Sequence, residues 1–176
     1  ELDFGLALGV VIGRVGRDIP VAQAWSHVAG FTIVNDLCAR DLERTERAVG
    51  LGPSKACDFA AAVGPWLVLR EELKDCIHDQ RLTLAMTAGI NGRVCAQGQV
   101  ASLHFSIPQL VAQASRDATL FPGDLLSTGT VAGGCLLELL PAGVPGGWLQ
   151  PGDAVELAIE RIGVLRTRIE GRPVAA

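Results

Sequence analysis

The chain has 176 residues and a net charge of −4, with 49% apolar and 19% charged residues. That length and composition suit one domain with a buried core. The acidic balance and the lack of a basic block argue against nucleic acid as a partner, and no apolar run approaches the ~20 residues of a membrane-spanning helix.

The 21 glycines point to a β-rich chain with many tight turns. Five cysteines (Cys38, Cys57, Cys76, Cys95 and Cys135) are widely spread, with no CxxC or metal-finger spacing. They read as reduced, mostly buried thiols of a cytoplasmic protein. The chain starts at Glu1 rather than Met, which leaves room for an upstream segment.

In chain order, Phe4 to Ile12 is continuously apolar or small and reads as a buried strand. Asp18-Ile-Pro-Val21 opens a helix through Val28, with Asp18 as its cap and Gly30 as its stop. Phe31 to Val34 is the next strand. Asp41 to Glu46 is a short helix or turn, and Gly50 to Ser54 is a glycine-rich loop. Trp66 to Leu69 and Leu82 to Ala88 read as strands, and Ile90-Asn-Gly-Arg93 as a hairpin with a type I′ turn. Ser106 caps a helix that runs to Ser115, with Pro108 in its first turn. Leu125 to Ser127, Ala154 to Ile159 and Gly163 to Ile169 complete the strands. Two of them follow Pro-Gly-Asp turns, and Gly133 to Gly147 is loop-rich. The pattern is one α+β domain rich in strands.

The polar residues cluster where strands end. Asp36 follows an apolar strand, where a carboxylate can ligate a hard cation, act as a base, or cap a turn. Arg40 lies one helical turn further on, suited to a salt bridge or to clamping a substrate carboxylate. Lys55 is the sole lysine before Lys74 and closes the glycine-rich loop. It is either a solvated surface group or an ammonium carried by a movable segment. Thr128-Gly129-Thr130 ends a strand with hydroxyls that can cradle an anion. His27, His78 and His104 share no metal spacing, and no G-x-S-x-G, P-loop or dinucleotide fingerprint is present.

These residues sit in a series of blocks: VVIGRVGRDIP, VAGFTIVNDLCARDL, SKACDFAAAVGPWLV, INGRV, FSIPQLVAQAS, TLFPGDLLSTGTVAGG and LQPGDAVELAIERIGVLRTRI. In this order and spacing they resemble the C-terminal catalytic domain of the fumarylacetoacetate hydrolase family, over nearly the whole chain. The resemblance implies a single domain across residues 1–176, a β-rich mixed β-roll of curled sheets with a few short helices. The family's usual N-terminal part, with its histidine-bearing loop, lies outside this sequence. It implies an enzyme acting on small 2-oxo or β-diketo acids by C–C bond hydrolysis, decarboxylation or tautomerisation through an enolate, with Mg²⁺ or Mn²⁺. By the same resemblance Asp36 is a metal carboxylate, Arg40 a substrate-side arginine and Lys55 the active-site lysine. Gly129 and Thr130 contact substrate, Glu43 stands where some members have a substrate-contacting glutamine, and residues 41–54 form a closing loop. A homodimer, or pairing with a related domain, is implied too.

The family pattern before Val10-Val-Ile-Gly13 places two glutamates on one face of a strand; those positions are Gly5 and Ala7 here. Glu1 and Asp3 have the same parity but lie four residues upstream of them, ~13 Å along an extended strand. Ala96 also replaces a common glutamine. Hard cations want several oxygens, so a lone Asp36 weighs against metal. Two readings stand: an enzyme with an atypical metal site, or a metal-free partner half or small-anion-binding protein.

Overall fold

A computed structural model of the chain describes residues 1–52, 54–143 and 146–171. It is built from two four-stranded antiparallel sheets. The first has the order Leu125–Thr130, Leu6–Ile12, Val28–Asp36 and Ala61–Leu69. The second has the order Arg93–Gln99, Ala85–Ile90, Ala154–Ile159 and Gly163–Arg168. Side chains alternate across a strand, so Leu6, Leu8, Val10 and Ile12 enter the core with Phe31 and Ile33. Met86, Ala88, Val155, Leu157 and Ile159 of the second sheet complete it. Buried Asn35 links the layers: its Oδ1 accepts the Gly5 N–H at 3.2 Å, and its Nδ2 donates to Thr167 Oγ1 at 3.3 Å.

The local signals hold at most expected positions. Asn91 and Gly92 turn the hairpin with φ of 51° and 78°, the left-handed values that a type I′ turn requires. Ser106 and Gln109 form a capping box on helix Ile107–Ala114. The two Pro-Gly-Asp turns work alike: Asp124 Oδ2 accepts the Phe121 N–H at 2.8 Å, and Asp153 Oδ2 accepts the Gln150 N–H at 2.7 Å.

Other expectations need correction. Val21–His27 is a 3-10 helix that starts after Pro20, and Asp18 does not cap it. Asp18 has φ of 50°, and its Oδ1 accepts the Asp117 N–H at 2.8 Å, so this carboxylate serves a neighbouring turn. The expected strand from Leu82 splits into Arg81–Leu82, paired with Ile77–His78, and Ala85–Ile90. Within the glycine-rich stretch from Gly133, Leu136–Leu139 forms a helical turn; residues 144 and 145 lie outside the described ones. Cys38 and Cys57 are joined in a disulfide with Cα atoms 4.4 Å apart, whereas Cys76, Cys95 and Cys135 are free. Nothing in the sequence spacing signals that pair, because only the folded chain brings residues 38 and 57 together. Among the described residues no helix is long and apolar enough to cross a membrane.

Gly30 sits where two strands approach most closely. A Cβ there would overlap the Val68 carbonyl of the neighbouring strand, and the backbone on both sides is fixed by pairing. Gly30→Ala is expected to destabilise the protein by about 1–3 kcal/mol through overpacking. In thermal unfolding that is a fall of roughly 2–4 °C per kcal/mol for a chain of this size; an unchanged midpoint would show that the strands can part freely.

Candidate active site

The outward face of the first sheet carries the candidate site, shaped by a bulge. Ser127 pairs with Gly9, but Thr130 pairs with Ala7, so the Leu125–Thr130 strand holds one extra residue there. Gly129 takes φ of 76° at the bulge, a conformation that suits glycine. Thr128 turns back, its Oγ1 accepting the Leu8 N–H at 3.2 Å. Ser127 Oγ donates to Asp36 Oδ2 at 2.6 Å and accepts the Gly129 N–H at 3.4 Å. Asp36 is only partly buried at the end of its own strand, which leaves its carboxylate within reach of solvent.

Gly5 lies opposite this pair. A Cβ built on it would stand 2.8 Å from Thr130 Oγ1, 2.9 Å from the Asp36 carbonyl oxygen and 3.4 Å from Asp36 Cβ. The structure thus brings Gly5, Asp36 and Thr130 around one point, and Thr130 fills the room that a longer residue 5 would need. Ala7 is fully buried between Val34 and Thr130. Among the described residues no group of three or more His, Cys, Asp or Glu side chains could hold a metal ion. One carboxylate flanked by hydroxyls is too poor an oxygen set for a hard divalent cation, so the residues present do not fit one.

The upstream acids do not move into that gap. Glu1 Oε2 pairs with Arg44 at 2.6 Å. Asp3, fully buried, accepts the Leu136 N–H at 2.6 Å and Arg40 Nε at 2.8 Å. Arg40 opens helix Arg40–Ala48 and also donates Nη1 to Glu43 Oε2 at 2.7 Å. Glu43 receives Arg47 as well, at 2.6 Å. Arg40 and Glu43, expected beside substrate, are engaged in a largely buried ion cluster that ties the Arg40–Ala48 helix to the N-terminal stretch. Burial alone would raise the Glu43 carboxyl, but the hydrogen bonds from Arg40 and Arg47 outweigh it and hold it below the ordinary range.

Lys55 stands on the segment after that helix and is exposed, its Nζ 3.8 Å from Asp58 Oδ2. Glu46 fixes the backbone beneath it. Its buried carboxylate accepts the N–H groups of Ser54 at 2.9 Å, Lys55 at 2.8 Å and Ala56 at 3.3 Å. Part of the expected closing loop is thus helix, held from below. Ser127 and Glu46 escaped the sequence reading. Ser127 was within sight, adjoining the Thr-Gly-Thr run, whereas Glu46 looks like any surface glutamate of a charged helix.

The model of the fumarylacetoacetate (FAA) hydrolase C-terminal domain matches residues 1–170. The chain belongs to the fumarylacetoacetate hydrolase family. It is 34% identical to the oxaloacetate tautomerase YisK of Bacillus subtilis (strain 168) over 174 residues, 96% of this chain and 52% of that protein. Identity is also 34% to a 2,4-didehydro-3-deoxy-L-rhamnonate hydrolase of Sphingomonas sp. (strain SKA58), across 95% of this chain and 55% of that one. The chain therefore spans about half the length of these relatives. The fumarylpyruvate hydrolase from Pseudomonas aeruginosa, solved in complex with Mn²⁺ and pyruvate, superposes with a TM-score of 0.79 at 29% identity, covering 96% of this chain and 66% of that one. These likenesses confirm the β-rich family fold, and a divalent metal belongs to at least one close structural neighbour.

Because its folded pKa is lowered, Glu43 contributes stability that is present above its unfolded value of 4.5 and fades as pH falls below it. Glu43→Gln is expected to cost about 1.5–3 kcal/mol near neutral pH, the range for a hydrogen bond to a charged group. In urea titrations the gap between wild type and variant should shrink as pH falls below 4.5. A gap independent of pH would mean that the carboxylate charge contributes nothing.

Proposed function

We propose that this domain serves an enzyme acting on a small 2-oxo or β-diketo acid, and that the step its site serves best is keto–enol tautomerisation. The carrying observation is the cluster of Asp36, Ser127 and Thr130 around Gly5. Asp36 is the proton acceptor next to the substrate carbonyl, oriented by the Ser127 hydroxyl. Thr130 and the Gly129 backbone face the oxygen on which negative charge develops, and Lys55 supplies an ammonium from its segment to the substrate carboxylate or enolate. Moving a proton between carbon and oxygen needs one base and a few donors, the set present here. Hydrolysis and decarboxylation run through the same enolate but demand more stabilisation of charge. The tautomerase activity of one relative named above agrees with this assignment. Arg40 and Glu43 act beneath the site, holding the helix that leads to Lys55. A resident Mg²⁺ or Mn²⁺ is not part of the reading, since Gly5 and Ala7 offer no ligand.

The same two positions favour a second reading, in which this is a non-catalytic half that binds small carboxylates and pairs with a competent related domain. For either reading we propose a homodimer or an equivalent pairing, in a cytoplasmic setting. The Ala61–Leu69 strand lies at the sheet edge and exposes Val63, Trp66, Leu67 and Leu69, more apolar surface than a strand facing water usually shows.

Enol-to-keto conversion of oxaloacetate, followed by ultraviolet absorbance with a chelator present, tests the assignment. Wild type should exceed buffer, Asp36→Asn should lose about 10²–10⁴-fold, and Lys55→Ala about tenfold or more. A wild-type rate equal to buffer, or variants equal to wild type, would defeat the catalytic reading; acylpyruvate decay in its place would move the assignment to C–C cleavage. Sedimentation velocity should show a dimer that Trp66→Lys splits, and a wild-type monomer would exclude the pairing.

A further inference from the structure

Two cysteines flank the residues just assigned. Cys38 lies two residues after Asp36, and Cys57 two residues after Lys55. Their apposition is set by backbone, because the Ala39 N–H donates to the Ala56 carbonyl at 2.8 Å and draws the two stretches side by side. The Cα atoms stand 4.4 Å apart and the sulfurs are joined. Cys38 is buried at 3% exposure, whereas Cys57 is exposed in a segment whose neighbours, Ser54, Lys55, Asp58 and Phe59, are exposed too. One cysteine thus lies at the surface while the other lies behind it, the arrangement of an attacking and a resolving thiol.

We propose that Cys38 and Cys57 form a reversible thiol–disulfide modification site that fixes or frees the Lys55 segment relative to the Asp36 strand. The oxidant is a low-molecular-weight disulfide such as glutathione disulfide. Starting from the dithiol, the Cys57 thiolate attacks one sulfur of the small disulfide, whose S–S bond breaks and releases one thiolate. The Cys38 thiolate then attacks Cys57 Sγ in the mixed disulfide and expels the second thiolate. The protein gives up two electrons and two protons, and the small disulfide becomes two thiols. Excess small thiol runs the exchange backwards, entering at exposed Cys57.

The consequence is local. In the oxidised form the segment has three ties: the covalent bond, the Ala39–Ala56 hydrogen bond and the Glu46 carboxylate beneath the Ser54, Lys55 and Ala56 amides. Reduction removes the covalent tie and leaves the other two, so the segment loosens without unravelling. Any effect on turnover rests on the role proposed above for Lys55, but the modification itself does not.

The test therefore avoids turnover. The full chain is equilibrated with oxidised or reduced glutathione, free thiols are alkylated, and peptides are mapped by mass spectrometry. Hydrogen exchange is then read at the Ser54–Ala56 amides. The expected result is a Cys38–Cys57 cross-link in oxidised glutathione, its opening in reduced glutathione, and exchange at those amides roughly tenfold faster in the reduced form. Cys57→Ser, at an exposed position, should exchange at the faster rate in both buffers. A pair that stays as thiols in oxidised glutathione, a bond that reduced glutathione cannot open, or equal exchange in both forms would overturn the proposal. Since no readout involves substrate, an inactive protein would leave it standing.

Discussion

The buried ion cluster of Asp3, Arg40 and Glu43 fixes the ground on which the site is built. Asp3 comes from the N-terminal stretch, Arg40 and Glu43 from the helix after the Asp36 strand, and the Leu136 and Leu137 amides from a distant turn. A buried charge is costly unless its partners are complete, so these segments are held to one mutual arrangement. The helix so placed delivers Glu46, and Glu46 in turn places the Lys55 backbone. Asp36 and Lys55, far apart in sequence, are thereby linked through one short helix.

Around Gly5 the constraint is space. Where the family resemblance implies two glutamates, this chain has a glycine and an alanine, and the space beside Gly5 holds the Thr130 hydroxyl and the Asp36 backbone. The loss is compensated by packing rather than by a new ligand, because Glu1 and Asp3 are engaged elsewhere. What remains is a carboxylate, two hydroxyls and a glycine amide on one sheet face, a set suited to proton transfer and anion binding.

Much of this was legible from residues alone, and the limits were physical. Turn and cap chemistry is local, so Asn91-Gly92, Ser106 and the Pro-Gly-Asp turns were readable in place. That Gly5 and Ala7 share a strand face was legible from parity; that the face once carried ligands is implied by the family resemblance alone. Interactions between distant segments were not. Arg40 reads equally as a salt-bridge partner or a substrate clamp, and its partner Asp3, thirty-seven residues upstream, becomes visible only in the fold. Cys38 and Cys57 read as separate thiols until the Ala39–Ala56 hydrogen bond draws the Cys38 strand and the Cys57 turn together. Asp18 reads as a helix cap until its left-handed backbone turns the carboxylate toward Asp117.

The central claim is that Gly5, Asp36, Ser127 and Thr130 form a packed polar cluster whose donor set does not suit a hard divalent cation. Electron paramagnetic resonance titration of the protein with Mn²⁺ tests it most directly, since free and bound ions give distinct signals. The account predicts only the free-ion spectrum up to about 1 mM metal, a weak limit for oxygen-ligand sites. One saturable Mn²⁺ per chain that disappears in Asp36→Asn would contradict it.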